Sequence, residues 1–467
     1  MKCLSGSRPA GGRTGWRPTA DLRRSAVILC VLLPVLCGCG RAPAGPNVVL
    51  VVIDTFRADH ASFTGYNRET TPVLDSLAEC GASWTSFRSQ SSWTLPAFAS
   101  ILTGLTPREH MAGRRDGVFY GLDPDLPTIQ KLFRIDGYRT AAFFNVVFLN
   151  EDFGFHVGFD HFGCSGFTNR ASLRRAGETV NAFLGWLDGF DPSSGPFLAV
   201  VHFYDPHMPY DPPHPYSDLF TDPGYDGPCD SSWGRVTELM AVNDGLDSIP
   251  ADGLRNLEAL YDGELAYSDA ELGRLLQGLR DRGLDGSTVI LVTGDHGEEF
   301  LEHGGVEHGR NLYEETVRVP LVMAGPGVPS LSVDEPASHV DILPTLAALC
   351  GLDAPIGLAG RNLLAAPDDD AGAHGLCTAH ASGVLWADGD RASSVLGSRK
   401  VILDPITGEA AMFDLSSDPR EESPLPPDSV LLEDVLTYWA TPAGGRPGVV
   451  DFAETVDRAL RDLGYIR

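Results

Sequence analysis

The stretch Asn47 to Ile53 reads NVVLVVI and runs directly into Asp54. A run this apolar has no polar side to turn to water, so it must be covered on both faces. That is the condition of a parallel strand packed between helices. A carboxylate at its carboxyl end then stands where open α/β sheets gather their chemistry. Thr71-Pro72 follows as a helix start, with Thr71 as cap and Pro72 at the first helical position, and apolar spacing through Leu74, Leu77 and Ala78 to Gly81.

The same alternation repeats downstream. Helices are expected over 128–136, 174–187 and 252–283, and strands over Arg139 to Phe144, Phe197 to Phe203 and Thr288 to Val292. Residues 211–250 are turn-rich and weakly periodic, and read as an insertion near a site entrance. Beyond residue 370 the pieces shorten to 383–387, 399–403 and 411–415, which suit antiparallel strands, with a closing helix near 452–463. The chain is therefore expected to be α/β over 47–370, with a smaller α+β subdomain over 371–467.

The amino terminus is built differently. Residues 25–37 read SAVILCVLLPVLC behind Arg23-Arg24, an apolar run too short to span a bilayer but suited to a signal peptide. Leu36-Cys37-Gly38-Cys39 resembles a bacterial lipoprotein box. The expectation is a leader over 1–38, lipidation at Cys39, a tether over 39–46, and an exported protein anchored in the cell envelope.

Charge restricts the partners. The 35 basic and 63 acidic residues give a net −28; without the leader's six basic and one acidic residues it becomes −33. No Lys/Arg block follows residue 40, so nucleic acid is not an expected partner. Any anion bound by this body must be held by local features. Nine cysteines in 467 residues, with no CxxC pair, do not form a disulfide framework or a thiolate metal site.

Three segments carry the chemistry: Asp54-Thr55-Phe56-Arg57-Ala58-Asp59-His60, Ser91-Ser92-Trp93-Thr94-Leu95-Pro96, and Thr293-Gly294-Asp295-His296-Gly297-Glu298-Glu299. Asp54, Asp295 and His296 offer oxygen and imidazole donors suited to a divalent cation, with Zn, Mn, Mg and Ca all open. One metal is the leading expectation, and a second, drawing on Asp205, His207 and His339, is an alternative; Asp341 reads equally well as a helix cap. Thr94 before Pro96 reads as the cap of a helix over Ala97 to Leu102, whose first amides and dipole would hold an anionic phosphoryl or sulfuryl group. A cation would let its hydroxyl serve as nucleophile. His202 reads as a core histidine, facing away from His207 by strand parity.

On these residues the chain resembles the sulfatase family of the alkaline phosphatase superfamily. The resemblance rests on residues 51–84, 91–110, VHFYDPHMPYDPP at 201–213, VTGDHGEEFLEHGGVEHGRNLYEETVRVPLVM at 292–323, and HVDILPTLAALCG at 339–351, and extends to 400–422. It implies an alkaline-phosphatase-like, mostly parallel sheet flanked by helices, with Asp54, Asp295 and His296 on the metal. It implies Thr94 at the nucleophile position, Arg57 orienting a ligand or the anion, and His207 on the substrate side. His303 and His308 would lie near the leaving-group oxygen, with His308 the preferred proton donor. The implied substrate is a sulfate or phosphate ester, on a glycan or lipid headgroup among other carriers.

The chain departs from the family at one point. Formylglycine-dependent sulfatases carry Cys or Ser followed by x-Pro-Ser-Arg, whereas this chain has Thr94-Leu95-Pro96-Ala97-Phe98. A threonine β-carbon bears a methyl group and cannot become that aldehyde, so no formylglycine is expected. The pattern resembles superfamily phosphodiesterases and phosphoethanolamine or glycerophosphate transferases. A hydrolase is the leading expectation, a transferase the alternative, and a non-catalytic envelope binding lipoprotein the reading from a different class.

Overall fold

The computed structural model describes residues 45–365 apart from 116 and 166–173, then 378–382, 391–440 and short stretches between 444 and 460. The leader, Cys39 and the strand expected at 383–387 lie outside the described residues. So does most of the helix expected near 452–463.

Asn47–Ile53 (β1) is buried at every position and sits near the middle of an eight-stranded sheet. The other strands are Ala82–Trp84 (β2), Arg139–Phe144 (β3), His161–Cys164 (β4), Phe197–Phe203 (β5), Thr288–Gly294 (β6), Leu321–Ala324 (β7) and Leu331–Val333 (β8), in the order β8-β2-β7-β6-β1-β5-β3-β4. Only β7 runs against the rest. The continuous apolar runs of β1, β5 and β6 therefore have the cause expected of them, burial on two faces.

Alternate side chains feed two cores. Val48, Leu50, Val52, Leu198, Val200 and Leu291 pack toward Thr94–Thr103 (α2), and toward the helices Ile129–Ile135 and Ile342–Leu349. Val49, Val51, Ile53, Val201 and Val292 pack toward Pro72–Cys80, Ala176–Asp188 and the 31-residue helix Ala251–Asp281. Each fully buried Val or Leu contributes about 1.5–3 kcal/mol. A one-residue register slip would exchange the two cores.

Two local details differ from the sequence expectation. The cap of Pro72–Cys80 is supplied from outside: the Val73 and Leu74 amides donate to Asp269 on the long helix, at 2.8 and 2.9 Å. The helix after Trp93 begins at Thr94 itself, with Trp93 as its cap. Thr94 occupies the first helical position, so its hydroxyl is not used to close its own helix.

The carboxy-terminal region forms an antiparallel sheet of Thr378–Ser382, Ala392–Leu396, Arg399–Leu403 and Ala410–Asp414, covered by the helix Ser429–Ala440. The 211–250 segment contains a 3-10 turn, Tyr216–Asp218, and one short α-helix, Val236–Asn243, and Asn243 holds both backbone groups of Val306. Among the described residues Cys80, Cys164, Cys229 and Cys350 are free thiols, and no helix is long and apolar enough to cross a membrane.

Candidate active site

β1 and β6 end together, and each delivers an aspartate one residue past its end. Register explains the grouping. Val52 pairs with His202 on one side and Thr293 on the other, so Asp54 and Asp295, two residues further on, share the face that carries His202. Asp54, His202 and Asp295 bring one ligand atom each within 4.8 Å of one another, all fully buried. His202 is fully buried, as a core histidine is, and it also belongs to this candidate metal-holding group. Facing away from His207 is what turns it toward Asp54, with Nε2 3.4 Å from Oδ2.

The turn after β1 is strained to make this end. Thr55 has φ of 50°, a left-handed conformation that a β-branched residue avoids. Tyr261 of the long helix braces it, donating to the Thr55 carbonyl at 2.7 Å and accepting from the Arg57 amide at 3.0 Å. Asp295 Oδ1 accepts from the Thr55 and His296 amides, which aims Oδ2 at the site.

His296 approaches the other oxygen of Asp54. Its Nδ1 donates to the Gly297 carbonyl at 2.9 Å, leaving the lone pair on Nε2. That atom is 3.3 Å from Thr94 Oγ1, 3.4 Å from Asp295 Oδ2 and 3.5 Å from Asp54 Oδ1. Bonds of about 2.0–2.1 Å to a tetrahedral zinc-type ion put neighbouring ligand atoms about 3.3–3.4 Å apart. Both Asp54 oxygens, Asp295 Oδ2 and both His202 nitrogens are buried without a hydrogen-bond partner. Gly297 admits no side chain, since a Cβ would fall 2.0 Å from the Glu315 carbonyl oxygen.

The electrostatics fit the same conclusion. Burial, and next the negative Glu298, push the Asp54 carboxyl up to about 8, against the opposing pull of His308. Burial and Asp54 hold Asp295 well above the carboxylate range, and burial pushes His202 down to about 4. Two buried carboxyls face one neighbouring imidazolium, His308, so these groups are arranged for more positive charge than the side chains around them supply. The residues fit a divalent cation.

His308 forms the next wall, its ring 4.3 Å from His296 and 5.0 Å from His207. Its Nδ1 bonds Glu298 Oε1 at 3.0 Å, and Glu298 Oε2 accepts the Tyr210 hydroxyl at 3.0 Å. Burial opposes a charge on His308, but Glu298 outweighs it and lifts the imidazole to about 9. His207 stacks on Tyr204 with Nδ1 against the Met208 carbonyl and the Tyr204 hydroxyl.

Two expected site residues are engaged elsewhere. Arg57 spends its guanidinium on both Asp59 oxygens, on Glu302 and on the Glu298 carbonyl, so it fixes the loop behind His308. His303 bonds Glu315 at 2.6 Å and the Glu421 carbonyl at 3.3 Å, and stacks on Tyr313 at 3.5 Å. Of the alternative metal trio, Asp205 accepts the Ala176 amide, His339 bonds the Gly294 carbonyl through Nε2 with its Nδ1 buried and without a hydrogen-bond partner, and His207 lies beside His308. Asp341 stands at the N-cap position of Ile342–Leu349, but its carboxylate accepts from the Ser338 and Arg361 amides and not from that helix.

The fold and this site define a class, the alkaline-phosphatase-like α/β hydrolases that act on anionic esters with a divalent metal. The sulfatase family profile matches residues 46–352, and the chain belongs to the sulfatase family. It is similar to an arylsulfatase of Clostridium perfringens, 26% identical over 379 residues that cover 68% of this chain and 77% of that one. Human arylsulfatase K is 26% identical over 389 residues, 73% of this chain and 70% of the relative. The crystal structure of a phosphonate monoester hydrolase of Agrobacterium radiobacter has the same fold, with a TM-score of 0.65 at 22% identity over 84% of this chain and 94% of that one.

Proposed function

We propose that this sulfatase-family hydrolase cleaves phosphorus esters with Thr94 as nucleophile. The observation that carries the reading is Thr94 Oγ1, at the first position of α2, set 3.3 Å from His296 Nε2 beside the unpartnered oxygens of Asp54. Asp54, Asp295, His296 and His202 would hold the cation, and the imidazole donors favour a zinc-type ion over calcium. When bound it supplies positive charge that favours the Thr94 alkoxide and offsets charge on the ester oxygens.

The chain's own residues do the rest. Thr94 Oγ1, its proton lost to solvent, forms the bond to phosphorus as the bond to the leaving oxygen breaks. His308, held and charged by Glu298, gives that oxygen a proton. Water then cleaves the Thr94–phosphorus bond, returning a proton to His308 and freeing Thr94 and the product phosphate or monoester. His207 lines the substrate side. His303 and Arg57 act on the loop that carries His308.

Acceptance of the group by a glycan or lipid headgroup instead of water is the second reading, favoured by threonine at the nucleophile position. With Cys39 acylated, the enzyme works from the outer face of a membrane of the cell envelope. Metal-replete protein is tested on matched aryl sulfate, phosphate monoester and phosphodiester. Turnover of a phosphorus ester that Thr94→Ala lowers by about 10³-fold or more supports the reading; sulfate-only turnover retained by Thr94→Ala overturns it.

A further inference from the structure

At the end of β3 a guanidinium is held with no carboxylate bonded to it. The buried arginines Arg57 and Arg88 fork onto carboxylates. Arg174, half-buried just before the helix Ala176–Asp188, is held among the described residues by neutral acceptors: Nε donates to Asn145 Oδ1 at 2.8 Å and Nη2 to the Phe144 carbonyl at 2.9 Å. Residues 166–173, which precede it, include no Asp or Glu. Burial pulls the guanidinium below its ordinary value, against weaker pulls from Cys164 and Glu178. Neutral oxygens fix such a group in place without offsetting its charge. In a chain of net charge −28, a cation left in that state is the exception.

Its position relates it to the site. Asn145 is fully buried and also donates to the His202 carbonyl and to Thr179 Oγ1, so the guanidinium is one side chain removed from a member of the Asp54 group. Phe143 pairs with Val201 and Ile53 with Phe203, which puts Asn145 and Asp54 at nearly one level past the ends of β3 and β1. With β5 between them, they stand two strand spacings apart, about 10 Å. Both bonds of Arg174 use the Nε–Nη2 edge of the guanidinium. The Nη1–Nη2 edge, which can pair bidentately with a carboxylate or an ester anion, makes no ion pair among the described residues.

We propose that Arg174 is a specificity-determining residue that binds a second anionic group of the substrate, two strand spacings from the ester that Thr94 attacks. The substrate class is then an ester whose carrier is itself an anion, rather than an ester of a neutral alcohol. This deepens the phosphorus-ester reading above and rests on it. The acidic body supports the selection, since it repels a second negative charge everywhere except where a cation such as this one receives it.

The test is calorimetric titration of the metal-replete full chain with three arylphosphonates. They share a rigid biphenyl spacer that matches the separation, and carry a carboxylate, a sulfonate or a hydrogen on the far ring. Wild type should bind each of the two ligands with a far anion about tenfold more tightly, or better, than the one without. That preference should vanish in Arg174→Gln. Arg174→Lys, which keeps the charge and loses the fork, should show an intermediate preference. In both variants the ligand without a far anion reports whether the ester site is still formed. Equal affinities in wild type, or a preference that Arg174→Gln leaves intact, overturn the role of Arg174 and leave the ester site standing. Binding of none of the three ligands overturns the ester site, and this proposal with it.

Discussion

Two clusters of charged side chains are buried in this molecule, and they are balanced in opposite ways. Behind the 299–315 loop, Lys400 is fully buried and meets Glu314 at 2.9 Å and Glu421 at 3.0 Å, while Arg88 forks onto Glu314 at 2.8 and 2.9 Å. Burial alone would push Glu314 up, but Arg88 and Lys400 hold it below the carboxylate range. At the strand ends, Asp54 and Asp295 are as deeply buried and have no Lys or Arg bonded to them: burial keeps His202 and His296 neutral, and only His308, itself paired with Glu298, opposes their charge. A balanced cluster ties the carboxy-terminal sheet to the loop. An unbalanced one fits a divalent cation.

The largest separation of the two should come from Asp54→Asn or Asp295→Asn. Ester turnover should fall by about 10³-fold or more, while metal-free protein melts at the same temperature or higher, because a buried carboxyl whose ionisation the site opposes has been removed. Lys400→Met should do the reverse. Breaking a buried pair from one side costs about 3–5 kcal/mol, read by denaturant unfolding, with turnover per folded molecule within a few-fold of wild type at low temperature.

A smaller effect is expected at His202→Gln, where zinc affinity of the Asp54 group should weaken by about 10–100-fold, checked by competition with a chromogenic chelator. The smallest belongs to His303. Burial lowers its pKa, but the hydrogen bond and charge of Glu315 outweigh that and raise it to about 9, above its ordinary value of 6.5. Its stabilisation is therefore complete below about pH 6.5 and lost as pH rises through 9. The stability gap between wild type and His303→Gln should be about 1 kcal/mol after solvent screening at pH 6, and should close by pH 10.

Much of this was legible in the sequence. The apolar run ending in Asp54 announces a buried parallel strand, and Arg139–Phe144 and Phe197–Phe203 fall where their composition puts them. Asp54, Asp295 and His296 are marked as donors by residue type and by position at strand ends. His202 was not legible, because its grouping with Asp54 depends on the Val52–His202 register, which no local pattern encodes. Glu298 as the partner of His308 was hidden for a related reason, since a ten-residue separation carries no periodic signal. His303 and Arg57 are placed near the chemistry by motif, and only their contacts show that they brace the loop.

On the function proposed here, the unbalanced cluster holds the cation that activates Thr94, and a crystal structure of the zinc-loaded protein with vanadate decides it. A cation is expected among Asp54, Asp295 and His296, with Thr94 Oγ1 bonded to vanadium in line with an oxygen facing His308. Vanadium bound with Thr94 turned away from it, or an Asp54 cluster that takes no cation, would overturn the proposed role of Thr94.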